Sequence, residues 1–229
     1  MSDAADREEA PAETRPTAEP SWPLPSRLLL IADGFASGRA ELDAEAIGDR
    51  TLALVEAGVR WVLLRDHGAS AAAFAAAAEA LAARLRDRQP DVALSVAGRA
   101  EVARALGAGV HAGARGPALA DVADVALVGF SAHSAAQALV AQRAGADYVT
   151  FSPVFATRSH PGAEPAGIDA LRRCAEAVRI PVLALGGMTA PRARIARAVG
   201  ASGAAAIASL LFAYDPTVTV PRFLRAVEA

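Results

Sequence analysis

The sequence predicts an α/β protein built as a single (β/α)8 barrel. Three observations carry that expectation. Eight short apolar runs alternate along the chain with Ala-rich amphipathic stretches. The runs are near-continuous in their apolar character, the pattern of parallel strands buried on both faces. The length, 229 residues, is close to that of one such barrel.

The strand-like runs are Leu28–Ala32, Val59–Arg65, Val92–Val96, Gly109–His111, Val125–Ser131, Tyr148–Ser152, Pro181–Leu185 and Ala204–Ala208. Helical stretches lie between them at Asp43–Glu56, Ser70–Arg86, Arg99–Leu106, Ala135–Ala144, Ile168–Val178 and Ala190–Val199. A weak internal repeat marks the junctions. Glu56-Ala57-Gly58, Leu106-Gly107, Ala144-Gly145 and Val199-Gly200 each put Gly where a helix ends and the chain turns back to the sheet. A doubly wound open sheet would more often carry a Gly-rich turn after its first strand. Here that segment reads Ala32-Asp33-Gly34-Phe35.

Residues 1–24 are expected to be a disordered tail, acidic and rich in Ala and Pro, ahead of a barrel domain over 25–229. Met1 to Pro20 lacks a basic start followed by an apolar core, so it does not read as a signal peptide. No apolar run approaches the ~20 residues of a membrane span. The chain carries 23 basic and 25 acidic residues, net charge −2, which leaves no electrostatic footprint for nucleic acid or an anionic membrane. The expected location is cytoplasmic. Every basic residue is Arg, which excludes chemistry that needs a Lys. Cys174 is the single cysteine, so no intrachain disulfide forms, and it reads as a small packed residue.

Function in such a barrel sits on the loops after the strands. Gly186-Gly187-Met188-Thr189 follows the seventh run and opens a helix, where free amides and the helix dipole suit a phosphate. Ala208-Ser209, after the eighth run, adds further amides. His133 ends the fifth run in Ser131-Ala132-His133-Ser134 and is a candidate acid or base. The segment after the sixth run, Ser152 to Gly162, places Thr157, Arg158 and His160 within reach of an anion. Arg65, in Arg65-Asp66-His67 after the second run, suits a carboxylate or phosphate, unless it is spent on an Arg–Asp surface pair. Asp33 is a weaker candidate. His111 ends a short strand and can face in or out. His111, His133 and His160 lie on different loops with no carboxylate spaced to join them, so no metal site is expected.

These segments resemble the thiamine phosphate synthase/TenI superfamily. The likeness runs from about Arg27 to the C-terminus. It rests on Gly129-Phe130-Ser131-Ala132-His133-Ser134, on Gly145-Ala146-Asp147-Tyr148-Val149 leading into Ser152-Pro153-Val154-Phe155-Ala156-Thr157, and on Pro181-Val182-Leu183-Ala184-Leu185-Gly186-Gly187-Met188. The resemblance implies one of two activities. Synthases join a pyrimidine diphosphate to a thiazole phosphate with Mg2+. TenI-type tautomerases bind a thiazole carboxylate phosphate and move a proton to aromatise its ring.

The sequence departs from the synthase pattern on one side of the mouth. Gln-x-Arg-x-Lys is Leu63-Leu64-Arg65-Asp66-His67, Asn-Asp-Arg is Ala97-Gly98-Arg99, and His-x-Gly-Gln with its following acid is His111-Ala112-Gly113-Ala114-Arg115. In the sixth loop the usual Thr-Lys is Ser159-His160. Ala97-Gly98 and Ala114-Arg115 supply no carboxylate to anchor Mg2+. Gly98-Arg99 also resembles part of the tautomerase Asn-Gly-Arg.

The expectation is therefore a tautomerase-like enzyme without a cofactor. His133 is the proton carrier. Gly186, Gly187, Met188, Ala208 and Ser209 hold a phosphate, and Arg65, Arg99, Thr157 and His160 bind the rest of a small phosphorylated heterocycle. Mg2+ enters only under the alternative, a divergent synthase. A non-catalytic ligand-binding barrel and a sugar-phosphate isomerase using Asp33 or Asp66 as base are further readings. The Ala-rich outer helices leave room for a homodimer.

Overall fold

A computed structural model describes residues 24–39, 41–114, 116–157, 162 and 164–228. Eight parallel strands close into a barrel in sequence order, β1 Leu28–Asp33, β2 Trp61–Arg65, β3 Ala93–Ala97, β4 Gly109–Ala112, β5 Val128–Ala132, β6 Tyr148–Phe151, β7 Val182–Ala184 and β8 Gly203–Ala206. Closure comes from β1 pairing with β8, Leu28 opposite Ala204. Every residue of β1 is buried, as a strand covered by a barrel interior on one face and helices on the other requires.

The helices are α1 Ala44–Glu56, α2 Ala71–Arg88, α3 Ala100–Leu106, α4 Ala135–Arg143, α5 Gly167–Ala177, α6 Ala190–Ala198, α7 Ala208–Leu211 and α8 Pro216–Glu228. Asp43, Ser70 and Ser134 cap α1, α2 and α4 by accepting from the amides of Ala46, Ala73 and Gln137, which satisfies donors that have no partner within the helix. The repeated glycines end helices as expected. Gly58, Gly107, Gly145 and Gly200 all take positive φ, and each amide returns to a carbonyl of the helix before it.

Three expectations need correction. The fifth strand starts at Val128, not Val125; the segment between β4 and β5 is occupied by a short 3-10 turn, Leu119–Val122, in place of a full helix. The eighth strand ends at Ala206, and Ala208 begins α7. Leu24, placed in the expected tail, is buried in the core; the rest of that segment lies outside the described residues. No helix among the described residues is long and apolar enough to cross a membrane. Cys174 is buried on α5.

The core has two shells, the barrel interior and the layer between barrel and helices. Trp61 and Tyr148 fill the interior edge to face, with centroids 4.9 Å apart. Phe35 and Phe74 do the same where the loop after β1 meets α2, also at 4.9 Å. Such pairs add about 1 kcal/mol to the area they bury.

Candidate active site

A cleft opens at the C-terminal ends of the strands. It is lined by Arg65, His133, Ser152, Pro153, Thr157, Leu185, Gly186, Gly187, Met188 and the run Ala205 to Ser209. Eight of the ten expected site residues meet there: His133, Gly186, Gly187, Met188, Ala208, Ser209, Arg65 and Thr157. Arg99 does not. His160, like Arg158, lies outside the described residues.

The turn after β7 is shaped by what packs on it. Gly186 and Gly187 have φ of 99° and 59°, values that side-chain-bearing residues rarely adopt. A Cβ on Gly186 would sit 2.7 Å from Pro153 Cα, and one on Gly187 would overlap the Ala156 carbonyl. The loop after β6 therefore closes onto bare backbone. Arg192 on α6 donates to the Gly187 carbonyl at 2.6 Å and stacks over Phe155 at 4.7 Å, which pins both loops together. The amides of Gly186, Gly187 and Met188 donate to no acceptor among the described residues, and those of Ala208 and Ser209 open the first turn of α7. Amides so placed are suited to an anion.

His133 is exposed at the rim. Its Nδ1–H donates to the Ser152 carbonyl at 2.7 Å, and its amide donates to Gln137 Oε1 at 2.7 Å. A carbonyl only accepts, so the neutral ring carries its proton on Nδ1 and presents the Nε2 lone pair. The partner that sets this tautomer, a backbone carbonyl just past β6, has no signature in the sequence.

Across the cleft the charges are already engaged. Arg65 Nε donates to Asp33 Oδ1 at 2.8 Å, and Arg39 pairs with Asp33 Oδ2. Burial lowers the Arg65 pKa from its ordinary value. The terminal nitrogens of Arg65 have no protein acceptor among the described residues, so one edge of the guanidinium faces the cleft. The Arg–Asp pair considered from the sequence is thus with Asp33, not Asp66.

Asp66 instead ties two loops together. It accepts from the Ala36 and Ser37 amides, the Ser37 hydroxyl and the Gly68 and Ala69 amides, all at 2.8–3.0 Å. Burial works to raise its pKa, but the Ser37 hydroxyl and these amides outweigh it and hold the carboxyl below its ordinary range. Arg99 donates to the Ala69 carbonyl at 2.9 Å and lies over the Phe74 ring at 4.2 Å, which braces the same loop.

These contacts bear on Mg2+, which the synthase branch would require. A hard cation needs free carboxylate oxygens. Both oxygens of Asp33 and both of Asp66 are taken by arginines, amides and a hydroxyl, and no cluster of three or more His, Cys, Asp or Glu suited to a metal occurs among the described residues. The residues present do not fit the ion.

The thiamine monophosphate synthase family profile matches residues 36–210. A thiamine-phosphate synthase from Chloroflexus aurantiacus is 35% identical over 210 residues, 88% of this chain and 92% of that protein. A putative thiamine-phosphate synthase 2 from Aquifex aeolicus is 47% identical over 85 residues, which span 37% of this chain and 46% of that protein. Among solved structures, thiamine phosphate pyrophosphorylase from Pyrococcus furiosus superposes with a TM-score of 0.74 at 26% identity, covering 88% of this chain and 95% of that one.

Proposed function

The chain belongs to the thiamine monophosphate synthase family of thiamine biosynthesis, and from that premise we propose that it is a tautomerase-like enzyme acting on a thiazole phosphate. One observation carries the reading. The Nε2 lone pair of His133 and the amides of Gly186 to Met188 line the same cleft, while the opposite wall offers a cation and no free carboxylate.

The phosphate is bound by the amides after β7 and β8, helped by Ser209. The free edge of Arg65 takes the substrate carboxylate. His133 Nε2 removes a proton from the ring; the imidazolium then returns a proton to the exocyclic carbon. One C–H bond breaks and one forms, so the step is an isomerisation that needs no oxidant and no metal. Holding the ring between two anchors and one base is the kind of positioning that accelerates such a transfer. The imidazolium is stabilised by its Nδ1–H bond to the Ser152 carbonyl.

A second reading, thiamine phosphate synthase itself, has the names of the relatives in its favour. The consumed carboxylates weigh against it. Incubation with the thiazole carboxylate phosphate, followed by the absorbance of the aromatic ring, tests the first reading; no rate above background would remove it. Formation of thiamine phosphate from a pyrimidine diphosphate and a thiazole phosphate with Mg2+ would establish the second.

A further inference from the structure

Beneath the cleft, a chain of buried hydrogen bonds crosses the barrel, and the proton transfer above makes no use of it. It starts at Trp61 on β2, whose Nε1–H donates to Ser95 Oγ on β3 at 3.0 Å. Burial raises the pKa of the Tyr148 phenol, and the neighbouring Ser95 hydroxyl works against that rise. Tyr148 Oη lies 3.0 Å from His111 Nδ1 on β4. His111 Nε2 lies 2.9 Å from Ser131 Oγ and 3.3 Å from Thr150 Oγ1. Ser131 is half-buried near the top of β5, and His133 follows just past the end of that strand.

The barrel makes room for this chain with glycine. A Cβ on Gly129 would overlap the Tyr148 ring and sit 2.5 Å from His111 Nδ1, and one on Gly109 would sit 2.9 Å from Ser95 Oγ. The interior is thus built around these polar groups instead of being filled with aliphatic side chains.

The chain has a direction. An indole N–H can only donate, so Ser95 Oγ accepts from Trp61 and turns its own proton toward Tyr148. Tyr148 Oη accepts that proton and gives its own to His111 Nδ1. Burial, and then the nearby Arg65 charge, push the His111 pKa down to about 3, so the ring is neutral and its one proton lies on Nε2. That proton goes to Ser131 Oγ, with Thr150 Oγ1 as a longer second acceptor. Ser131 accepts from His111, and its own proton is left for an acceptor beyond the chain. Reversing an inner link would strand the Ser95 proton in the interior, where an unmade hydrogen bond costs about 1–3 kcal/mol.

We infer that Trp61, Ser95, Tyr148 and His111 form a one-way relay that fixes Ser131 as a hydrogen-bond donor toward the ligand, with His111 as its positioning residue. The group it recognises is an acceptor, a carboxylate oxygen or an unprotonated ring nitrogen. A ligand presenting an N–H at that point meets a proton in place of a lone pair and is disfavoured. The inference rests on the proposed function only for the identity of the ligand.

Two measurements test it. Nitrogen-15 NMR of the ligand-free protein at neutral pH reads the ring tautomer of His111. The Nε2–H form is expected in the wild type, and Tyr148→Phe should lose that preference. An Nδ1–H or charged His111 in the wild type would overturn the relay. Calorimetric titration with the thiazole carboxylate phosphate then reads the consequence. Ser131→Ala and His111→Phe should each weaken binding by about tenfold, and the double variant should be no weaker than either alone. His111→Gln, whose amide N–H reaches the position of Nε2, should restore most of the affinity. Additive losses, or a Gln variant as weak as the Phe variant, would contradict the inference. If the wild type fails to bind this ligand, the proposed function falls, while the tautomer measurement still decides the relay.

Discussion

After β6, β7 and β8 the mouth of the barrel is lined mainly by backbone and small or apolar side chains; after β1 and β2 it is lined by charges. The first wall, Gly186 to Met188 with Ala208 and Ser209, has amides with no partner among the described residues. The second wall is richer in polar groups and has less to offer. Asp33 is held by Arg65 and Arg39, and Asp66 by amides and a hydroxyl of two loops. Counting charged residues would place the binding power on the wrong side. What matters is which donors and acceptors remain unspent, and on the charged side that is one edge of Arg65.

The largest expected effect comes from the group that joins the two walls. His133→Ala should lower turnover by a factor of about 10^2–10^4 while ligand affinity changes only a few-fold, as read from steady-state kinetics beside calorimetry. Equal losses in both would make His133 a binding group. The charged wall should matter next, but for stability. Asp33→Ala leaves Arg65 half-buried without its counterion and should cost about 3 kcal/mol in urea unfolding; an unchanged midpoint would mean the cluster is solvated and free to bind ligand. On the backbone wall, Gly187→Ala should weaken phosphate-ligand binding by about tenfold or more, since its Cβ overlaps the Ala156 carbonyl and pushes the amides out of line. Full affinity in that variant would remove the amides from the site.

The interior below both walls has a pH signature. His111 has its folded pKa lowered to about 3, whereas an unfolded His sits near 6.5. Between those values the unfolded chain binds the extra proton. Stability from this group is therefore complete above about pH 6.5 and falls toward pH 3, by about 1.4 kcal/mol per pH unit. His111→Gln should flatten that part of the profile. The smallest effect belongs to Arg99→Ala, which removes a cation–π contact and one hydrogen bond and should cost about 1 kcal/mol of stability with affinity unchanged within twofold.

The barrel was legible in the sequence because its signals are local. Buried strands read as apolar runs, and Gly58, Gly107, Gly145 and Gly200 stop helices by their own backbone freedom. The turn after β7 was legible for the same reason, since two glycines before a helix form a short-range pattern. The charged wall was not. Arg65 finds Asp33 and Arg39, and Asp66 finds Ser37 and Gly68, only once β1 and β2 lie side by side. Arg99 showed a motif position but not its direction, which Phe74 and the Ala69 carbonyl set. The Ser152 carbonyl that fixes the His133 tautomer carries no side-chain identity at all, and the interior relay needs five strands brought together before its first and last members connect.

The central claim is one phosphate held and one proton moved. Turnover of the thiazole carboxylate phosphate in deuterated water tests it most directly, with mass spectrometry of the product. The wild type is predicted to convert the ligand to its aromatic isomer, with deuterium entering the exocyclic carbon to the extent that the His133 imidazolium exchanges with solvent, and His133→Ala to bind the ligand and convert none above background. Bound ligand that is never converted in the wild type, or conversion at an equal rate in His133→Ala, would contradict the account.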